Sequence, residues 1–267
     1  VAIAMNDVRV VASGHTILED INLNIEAGSH IAIVGHSGSG KSSFAGLLLG
    51  WMTPMEGEVR IDGVALDRDS LHQLRSETAW VDPSVQLWNR SFITNLTYGA
   101  EQTAMDLPQA IDAADLRGVL ERLPDGLGTT LGEGGGLLSG GEGQRVRFGR
   151  ALLRPRTRLV IFDEPFRGLD RERRRLLLQN ARHIWREATF LCITHDVSDT
   201  LSFPRVILFD HGRIVEDDAP TLLAERGDSK FRALLDADDA VRHAAWSSQT
   251  WRRVRIQDGK VIAEVEP

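Results

Sequence analysis

The strongest constraint on the fold of this chain is a glycine-rich stretch that begins at Gly35 and ends at Ser43. It fits the pattern G-x-x-x-x-G-K-[ST], in which the glycines allow backbone N–H groups to turn inward toward an anion. The apolar run before it predicts a buried parallel strand, and the run after it predicts a helix. The start of a helix favours phosphate, because its first N–H groups lack intrahelical partners. A nucleoside triphosphate site is therefore predicted at Gly35, His36, Ser37, Gly38, Ser39, Gly40, Lys41, Ser42 and Ser43.

Two side chains of this loop predict the chemistry of the ligand. Lys41 supplies a compact positive charge for phosphate, and the hydroxyl of Ser42 is a ligand for magnesium. A glycine-rich turn could match the pattern by chance, but the flanking strand and helix provide the context that the motif requires. The loop therefore predicts Mg²⁺ beside the nucleotide.

Composition excludes several classes of protein. Of the 267 residues, 42% are hydrophobic and 26% are charged, which is ordinary for a globular protein. The net charge of −7 gives no global electrostatic reason to bind nucleic acid, so no nucleic-acid partner is expected. No apolar run approaches the roughly 18 residues that cross a bilayer. Because the sequence begins with Val1 rather than Met, we expect a processed chain or a piece of a longer polypeptide.

The segments around the loop predict an α/β fold with additional layers. Residues 8–11 and 22–25 alternate apolar with polar side chains, which predicts antiparallel strands ahead of the phosphate strand. Apolar residues between 91 and 123 recur at helical spacing and predict a separate helical lobe. Further hairpins are predicted within residues 206–215 and 254–263.

Three chemically active side chains follow predicted buried strands. Asp163 and Glu164 come directly after one apolar run, and His195 follows the next. The carboxyl ends of strands are where α/β sheets bind ligands. The acidic pair alone could be a helix-capping turn, and a lone histidine is more often structural. Their position after strands that follow a phosphate loop favours a catalytic role.

Taken together, five motifs resemble the nucleotide-binding domain of an ATP-binding cassette (ABC) transporter over about residues 3 to 236. They are the phosphate loop, Leu138–Glu142, Val160–Pro165, Gly168–Asp170 and His195. The resemblance implies a P-loop NTPase core with an antiparallel β subdomain and an inserted α-helical subdomain at about residues 88–155. It divides the chain into a domain at residues 1–236 and an extension of unassigned role at 237–267.

The resemblance also implies a head-to-tail dimer that encloses two ATP molecules with Mg²⁺. Lys41 would bind the phosphates, Ser42 and Asp163 would hold magnesium, and Glu164 would orient or deprotonate the attacking water. His195 would contact the γ-phosphate. From the second subunit, the nucleotide would meet Ser139, Gly140, Gly141 and Glu142, with Asp170 linking the two sites.

Two positions depart from the family pattern. Members usually stack adenine on an aromatic residue before the phosphate strand, but the first aromatic residue here is Phe44, which leaves His15 or an aliphatic contact. Stacking contributes roughly 1–3 kcal/mol per base, so we expect weaker nucleotide binding. Pro83 occupies the place of a glutamine that reaches magnesium, and proline has no side-chain oxygen. Gln86 is the candidate replacement as a metal ligand.

The segment Leu131–Gly135 resembles an exporter motif that touches the membrane domain. We therefore expect the ATPase half of a bacterial peptide, lipid or drug exporter at the cytoplasmic face of the inner membrane. Its partners would be a transmembrane domain, in the same chain or separate, and a second nucleotide-binding domain, identical or not. A stand-alone repair or translation ATPase would carry a coiled-coil insertion or a second cassette. The remaining alternative is a catalytically weak regulatory cassette, which Pro83 favours and which Glu164 and His195 oppose.

Overall fold

The structure, a computed structural model, describes residues 1–100, 105–247, 254–257 and 260–263. The strands are β1 (Ile3–Ala12), β2 (His15–Ile25), β3 (His30–Val34), β4 (Glu56–Ile61), β5 (Val64–Ala65), β6 (Thr78–Val81), β7 (Leu159–Asp163), β8 (Thr189–Ile193), β9 (Arg205–Asp210), β10 (Arg213–Asp218), β11 (Val254–Gln257) and β12 (Lys260–Ala263). The α-helices are α1 (Lys41–Leu48), α2 (Arg68–Ser76), α3 (Phe92–Thr97), α4 (Leu107–Ala113), α5 (Arg117–Leu120), α6 (Gly140–Leu152), α7 (Arg171–Ile184), α8 (Pro220–Glu225) and α9 (Lys230–Ser247).

A six-stranded sheet of order β10-β9-β3-β8-β7-β6 forms the centre of the molecule. All of its neighbouring strands pair in parallel except β10, which is antiparallel to β9. The carboxyl ends of β3, β7 and β8 therefore meet at one edge. This arrangement confirms the predicted buried parallel strand before the phosphate loop, and it brings the segments that follow the three strands together.

The central sheet is covered on both faces. In β3, Ile31 and Ile33 pack into the core beneath the antiparallel sheet and α1, whereas Ala32 and Val34 pack into the core on the helical side. Successive side chains of a strand point to opposite faces, so a strand buried on both faces is apolar at every position. The short apolar runs in the sequence are a direct result of this packing.

The predicted antiparallel layer is a four-stranded sheet of order β2-β1-β4-β5. Its first two strands are longer than residues 8–11 and 22–25, because the pairing continues across irregularities. In β1 the register shifts between Met5 and Val8, and Asp7 has a φ of 48°. A bulge interrupts the alternation of side chains, which is why the sequence pattern became readable only at Val8.

The helical segments between 88 and 155 contain α3 to α6 and share a core with the central sheet. Phe92, Leu96 and Phe148 belong to the same buried cluster as Phe162 of β7. The lobe thus packs on one face of the sheet through side chains that the sheet also buries. The hairpins of β9 with β10 and of β11 with β12 confirm those predictions. Helix α9 runs continuously across the predicted boundary between residues 236 and 237.

Phe162 lies at the centre of the aromatic core, with ring centroids 5.9 Å from Phe148, 5.7 Å from Phe166 and 4.9 Å from Phe190. We expect Phe162→Ala to lower the free energy of unfolding by about 3–5 kcal/mol, because it leaves a cavity that these rings cannot fill. Urea denaturation followed by circular dichroism measures this. Leu176→Ala is the control, since that side chain is 52% exposed. Equal losses for the two variants would contradict the assigned core.

Candidate active site

The edge where β3, β7 and β8 end contains a cavity of about 690 Å³. The cavity combines the phosphate loop with residues that follow the neighbouring strands. Its lining consists of Ile17, Gly35, Ser37, Gly38, Gly40, Lys41, Ser42, Ser43, Asp163, Glu164, Arg167, Ile193 and His195. The structure therefore brings together the predicted phosphate loop, the acidic pair and His195.

Two glycines of the loop occupy positions that no other residue fits. Gly35 has a φ of 145°, and a Cβ there would clash with the carbonyl oxygen of Phe209. Gly40 has a φ of 107°, and a Cβ would come within 2.8 Å of the Leu18 side chain. Both conformations are strained for residues that carry a side chain. Close packing against β9 and β2 therefore fixes the path of the loop.

Lys41 is buried at the first position of α1. Its Nζ donates hydrogen bonds to the carbonyl oxygens of Gly35 at 2.7 Å and His36 at 2.8 Å. Burial lowers the pKa of Lys41, while the carboxylates of Glu164 and Asp163 act in the opposite direction. The ammonium is thus held inside the curve of the loop, where an anion that enters the cavity meets it.

Asp163 is the last residue of β7 and is only 7% exposed. Burial raises the pKa of this carboxyl, and the nearby Asp82 and Glu164 raise it further, whereas a hydrogen bond from Ser42 and the charge of Lys41 lower it. A buried carboxylate beside other carboxylates is stabilised by a cation. The site therefore concentrates negative charge next to a hydroxyl group.

This donor set fits Mg²⁺. Magnesium is ordinarily bound by one or two carboxylates together with substrate phosphates and water, and it rarely occupies an all-protein cage. Within the described ranges, no group of three or more His, Cys, Asp or Glu side chains could hold a metal ion alone. Asp163 and the hydroxyl of Ser42 are the residues that would hold it.

Glu164 has a left-handed backbone with a φ of 51°, a conformation that costs an L-residue roughly 1–2 kcal/mol. Its N–H donates to the carbonyl oxygen of Ile193 at 3.0 Å, which fixes the turn to the end of β8. Its carboxylate contacts Nδ1 of His195. Strained backbone held by its surroundings is frequent at active sites, and here it aims a carboxylate and an imidazole into the same cavity.

The segment Ser139–Glu142 lies outside this cavity and begins α6. Ser139 accepts a hydrogen bond from the N–H of Glu142, and the Glu142 carboxylate accepts one from the N–H of Ser139 at 2.9 Å. This reciprocal cap stabilises the helix start. Ser139 and Gly140 are exposed, so the structure does not bring them to the phosphate loop of their own chain.

Asp170 begins α7 and is exposed. It accepts a hydrogen bond from the N–H of Arg173 at 2.9 Å, and this bond holds the pKa of Asp170 below its usual range. The preceding residues pack on α6, since a Cβ on Gly141 would lie 2.6 Å from the Leu169 side chain. Asp170 and the start of α6 therefore belong to one contiguous, largely exposed surface.

The remaining predicted residues lie around the site without lining the cavity. His15 is exposed at the start of β2, and the residue of that strand that lines the cavity is Ile17. The Gln86 side chain is exposed, and the backbone carbonyl oxygen of Gln86 accepts a hydrogen bond from the Arg150 guanidinium at 3.0 Å. Ser39 is buried and, through its carbonyl oxygen, accepts from the N–H of Gly212. The adenine role of His15 and the metal role of Gln86 stay predictions.

Besides Ile193, which ends β8, sequence reasoning missed two cavity residues, Ile17 and Arg167. Ile17 belongs to β2, and only the packing of the antiparallel sheet against the central sheet brings it to the phosphate loop. Arg167 lies three residues after Glu164, so proximity to the acidic pair was its one available signal. Neither residue belongs to a motif of fixed spacing.

A family model described as "ABC transporter" matches residues 18–167 of this chain. The chain belongs to the ABC transporter family. Among curated proteins, it is 39% identical to an ATP-dependent lipid A-core flippase of Alkalilimnicola ehrlichii over 202 residues, which cover 75% of this chain and 34% of the relative. The flippase of the same name from Legionella pneumophila (strain Philadelphia 1) is 37% identical over 206 residues, or 76% of this chain and 34% of the relative.

A solved structure of a bacterial Atm1-family ABC exporter with ATP bound superimposes with a TM-score of 0.84 at 28% identity. The match covers 89% of this chain and 42% of the exporter chain. These matches confirm the family resemblance and the predicted α/β fold of the ABC domain. The chain spans about a third of the length of the curated relatives. Within the residues that the structure describes, no helix is long and apolar enough to cross a membrane.

We expect Asp163→Asn to raise the free energy of unfolding of the nucleotide-free domain at pH 7 by about 1 kcal/mol, the usual scale for relieving strain at a functional site. The raised pKa means that the folded chain binds a proton more tightly than the unfolded chain. The free energy of unfolding therefore falls as the pH rises from the unfolded-state pKa of Asp163 to its folded-state pKa. Above the folded-state pKa the loss of stability is complete.

Urea denaturation over a range of pH measures this effect. The gain from Asp163→Asn has to shrink as pH falls below the folded-state pKa and to vanish near the unfolded-state pKa. Asparagine keeps an acceptor for Ser42, so the comparison isolates the charge. A gain that does not depend on pH would contradict the assigned cause.

Proposed function

We propose that this chain is the ATP-binding and ATP-hydrolysing domain of a bacterial ABC exporter, and that it closes head-to-tail with a second such domain around two ATP molecules. One observation carries the proposal. A single cavity contains a lysine inside a glycine loop, a hydroxyl bonded to a buried carboxylate, and a second carboxylate paired with an imidazole. Phosphoryl transfer depends mainly on positioning and charge neutralisation, and this set of groups supplies both.

In the proposed reaction, water attacks the γ-phosphorus, and the bond from that phosphorus to the oxygen of ADP breaks. Lys41 and the N–H groups of the loop hold the β- and γ-phosphates. Glu164 orients the water and accepts its proton. Magnesium, when held by Ser42 and Asp163, supplies positive charge that offsets the phosphate oxygens. The products are ADP and inorganic phosphate.

His195 has two functions in this proposal. Its Nδ1 contacts the Glu164 carboxylate, which restricts the orientation of the carboxylate toward the water. Its side chain is 62% exposed, and Nε2, which lies 3.8 Å from the Asp196 carboxylate, is proposed to turn toward the γ-phosphate.

The base of the nucleotide is proposed to pack on aliphatic surface. Ile17 lines the cavity, and its carbonyl oxygen would be 3.3 Å from a Cβ on Gly40, so the strand reaches the phosphate loop. An aliphatic contact replaces the aromatic stacking that the family pattern supplies. We therefore expect the phosphates to provide a larger share of the binding free energy than they do where adenine stacks on a ring.

The dimer is supported by the surface that α6 and the turn before α7 form together. Ser139 and Asp170 are both exposed on it, and both cap helix N-termini. Helix N-termini favour negative charge. The surface is therefore suited to cover a nucleotide held by another subunit.

A groove lined by aromatic and basic residues supports the proposed membrane-domain partner. We name it the Trp–Arg groove, and its main residues are Trp51, Trp80, Val85, Trp88, Tyr98, Arg75, Arg147, Arg150 and Arg154. The Arg150 guanidinium lies 4.8 Å from the centroid of the Trp88 ring, and burial lowers the pKa of Arg150 to about 10. Tryptophan, tyrosine and arginine are enriched in the energetic centres of interfaces.

The groove is linked to the predicted exporter motif. Val85 belongs to the groove and lies between Pro83 and Leu87 in the chain. Leu87 packs closely on Gly135 of the exporter motif, since a Cβ on Gly135 would lie 2.9 Å from the Leu87 side chain. We propose that the transmembrane domain docks over this region from the bilayer, which places the ABC domain on the cytoplasmic face. The flippase names of the relatives favour a lipid as cargo over a peptide or a drug.

Glu164→Gln tests hydrolysis. We expect kcat for ATP to fall by about 10²–10⁴-fold, because the glutamine amide cannot accept the proton, while ATP binding is retained. Lys41→Ala is expected to abolish binding. Glu187→Gln is the matched control, since Glu187 is exposed on another loop. Phosphate release and ATP titration are the measurements.

The alternative is a regulatory cassette that binds ATP and does not hydrolyse it, favoured by Pro83 in the place of the glutamine. A wild-type rate no higher than that of Glu164→Gln, with ATP binding intact, would support that alternative. Failure of the wild-type chain to bind ATP would exclude both functions.

Ser139→Arg tests the dimer. In the Glu164→Gln background, we expect ATP to double the mass seen by sedimentation, and Ser139→Arg to prevent this by placing bulk and charge on the covering surface. Ser76→Arg, on the exposed end of α2, is the control. Circular dichroism monitors the loss of the helix cap, which costs about 1 kcal/mol. A dimer that persists in Ser139→Arg would contradict the proposed arrangement.

A further inference from the structure

Arg167 lines the cavity but has no part in the motifs of the family resemblance. It lies at the end of a tight turn that begins at Glu164, where the N–H of Arg167 donates to the Glu164 carbonyl oxygen at 3.3 Å. Gly168 follows with a φ of 86°. The side chain is exposed and also borders the cavity. Arg167 is therefore at the rim of the site, next to the carboxylate proposed to activate water.

The charge of Arg167 is not neutralised within the part of the chain that the structure describes, where its guanidinium forms no hydrogen bond or ion pair. Nearby arginines differ. Arg173 contacts Asp115 at 3.0 Å, and Arg174 contacts Asp196 and Asp199 at 2.7 Å each. The rim of the cavity thus carries an uncommitted cation, whereas Arg173 and Arg174 of α7 are paired with carboxylates.

The other basic side chains that line the cavity already have partners. Lys41 donates to two loop carbonyl groups, and His195 contacts the Glu164 carboxylate. A nucleoside triphosphate brings several negative charges into a site that already contains two carboxylates. The planar guanidinium, with its fork of N–H donors, matches phosphate oxygens in a geometry that a lysine cannot reproduce.

We propose that Arg167 binds the γ-phosphate of the ATP held by the phosphate loop of the same chain, and so makes the site distinguish ATP from ADP. The proposal rests on the proposed function, which places ATP in this cavity. The loop holds the β-phosphate from one side, and Glu164 marks the end where water attacks the γ-phosphorus. Because Arg167 closes the turn that begins at Glu164, its guanidinium reaches the γ-phosphate and not the base.

The contact should matter for affinity but should not dominate it. Hydrogen bonds to charged groups are stronger than those between neutral groups, but exposure at the rim weakens this one. We therefore expect about a tenfold change in the dissociation constant of the triphosphate. ADP lacks the γ-phosphate, so its dissociation constant should stay within about twofold of the wild-type value.

The test is a calorimetric titration of the full chain with magnesium, using an ATP analogue with an imido bridge between the β- and γ-phosphorus, and using ADP. The variants are Arg167→Ala, Arg167→Lys and Arg175→Ala. Arg175 is the matched control, because it is exposed on α7 and outside the cavity. Arg167→Ala should bind the analogue about tenfold more weakly and ADP normally, Arg167→Lys should recover part of the loss, and Arg175→Ala should match the wild type.

ADP binding also reports that each variant is folded. Equal weakening for the analogue and ADP, or no weakening for either, would overturn the assignment of Arg167 to the γ-phosphate. The proposed function is judged separately by Lys41→Ala. If the wild type binds the analogue, Lys41→Ala does not, and Arg167→Ala is unchanged, only the role of Arg167 is wrong. If the wild type binds neither nucleotide, the proposed function itself is wrong.

Discussion

The parallel pairing of β3, β8 and β7 is the constraint on which the rest of the structure depends. In the observed register, Ile33 lies beside Ile193, and Ile193 lies beside Asp163. Neighbouring strands are about 4.8 Å apart, so the phosphate loop and the acidic pair begin roughly 10 Å from each other on the same edge. A shift of one residue would bury the side chains of the wrong face. The apolar pattern that covers both faces of the sheet thereby also sets the dimensions of the site.

The site concentrates charge that the fold alone does not need. Asp163 is buried beside Ser42 with other carboxylates nearby, Lys41 is inside a loop of carbonyl oxygens, and Glu164 has a strained backbone. Each of these features is unfavourable in isolation, and together they are suited to a phosphate and a cation. These features of the site lower the free energy of unfolding, and the packing of the aromatic core around Phe162 offsets that loss.

The sequence was sufficient for the parts that depend on short-range chemistry. The phosphate loop and the residues after β7 and β8 were predictable because each joins an apolar strand to a polar group within a few positions. The bulge near Asp7 hid half of β1, since it breaks the alternation on which strand prediction depends. Ile17 was not predictable, because it reaches the cavity only through the packing of the antiparallel sheet against the central sheet. Arg167 was not predictable, because it reaches the cavity through the turn after Glu164. In β2 the pairing with β1 shifts between Thr16 and Leu18, and Ile17 between them lines the site while His15 is exposed.

The contact between Gly141 and the turn after Glu164 has a mechanical consequence. The space there is so small that a single methyl group on Gly141 would meet Leu169 at 2.6 Å and the Gly168 carbonyl oxygen at 3.4 Å. Two backbones this close have to shift as a unit, because interiors are packed without slack. A displacement of the turn at Gly168 and Leu169 would therefore press directly on the start of α6. A chain built this way can signal the state of its own nucleotide to whatever rests on that tip without a relay through its core.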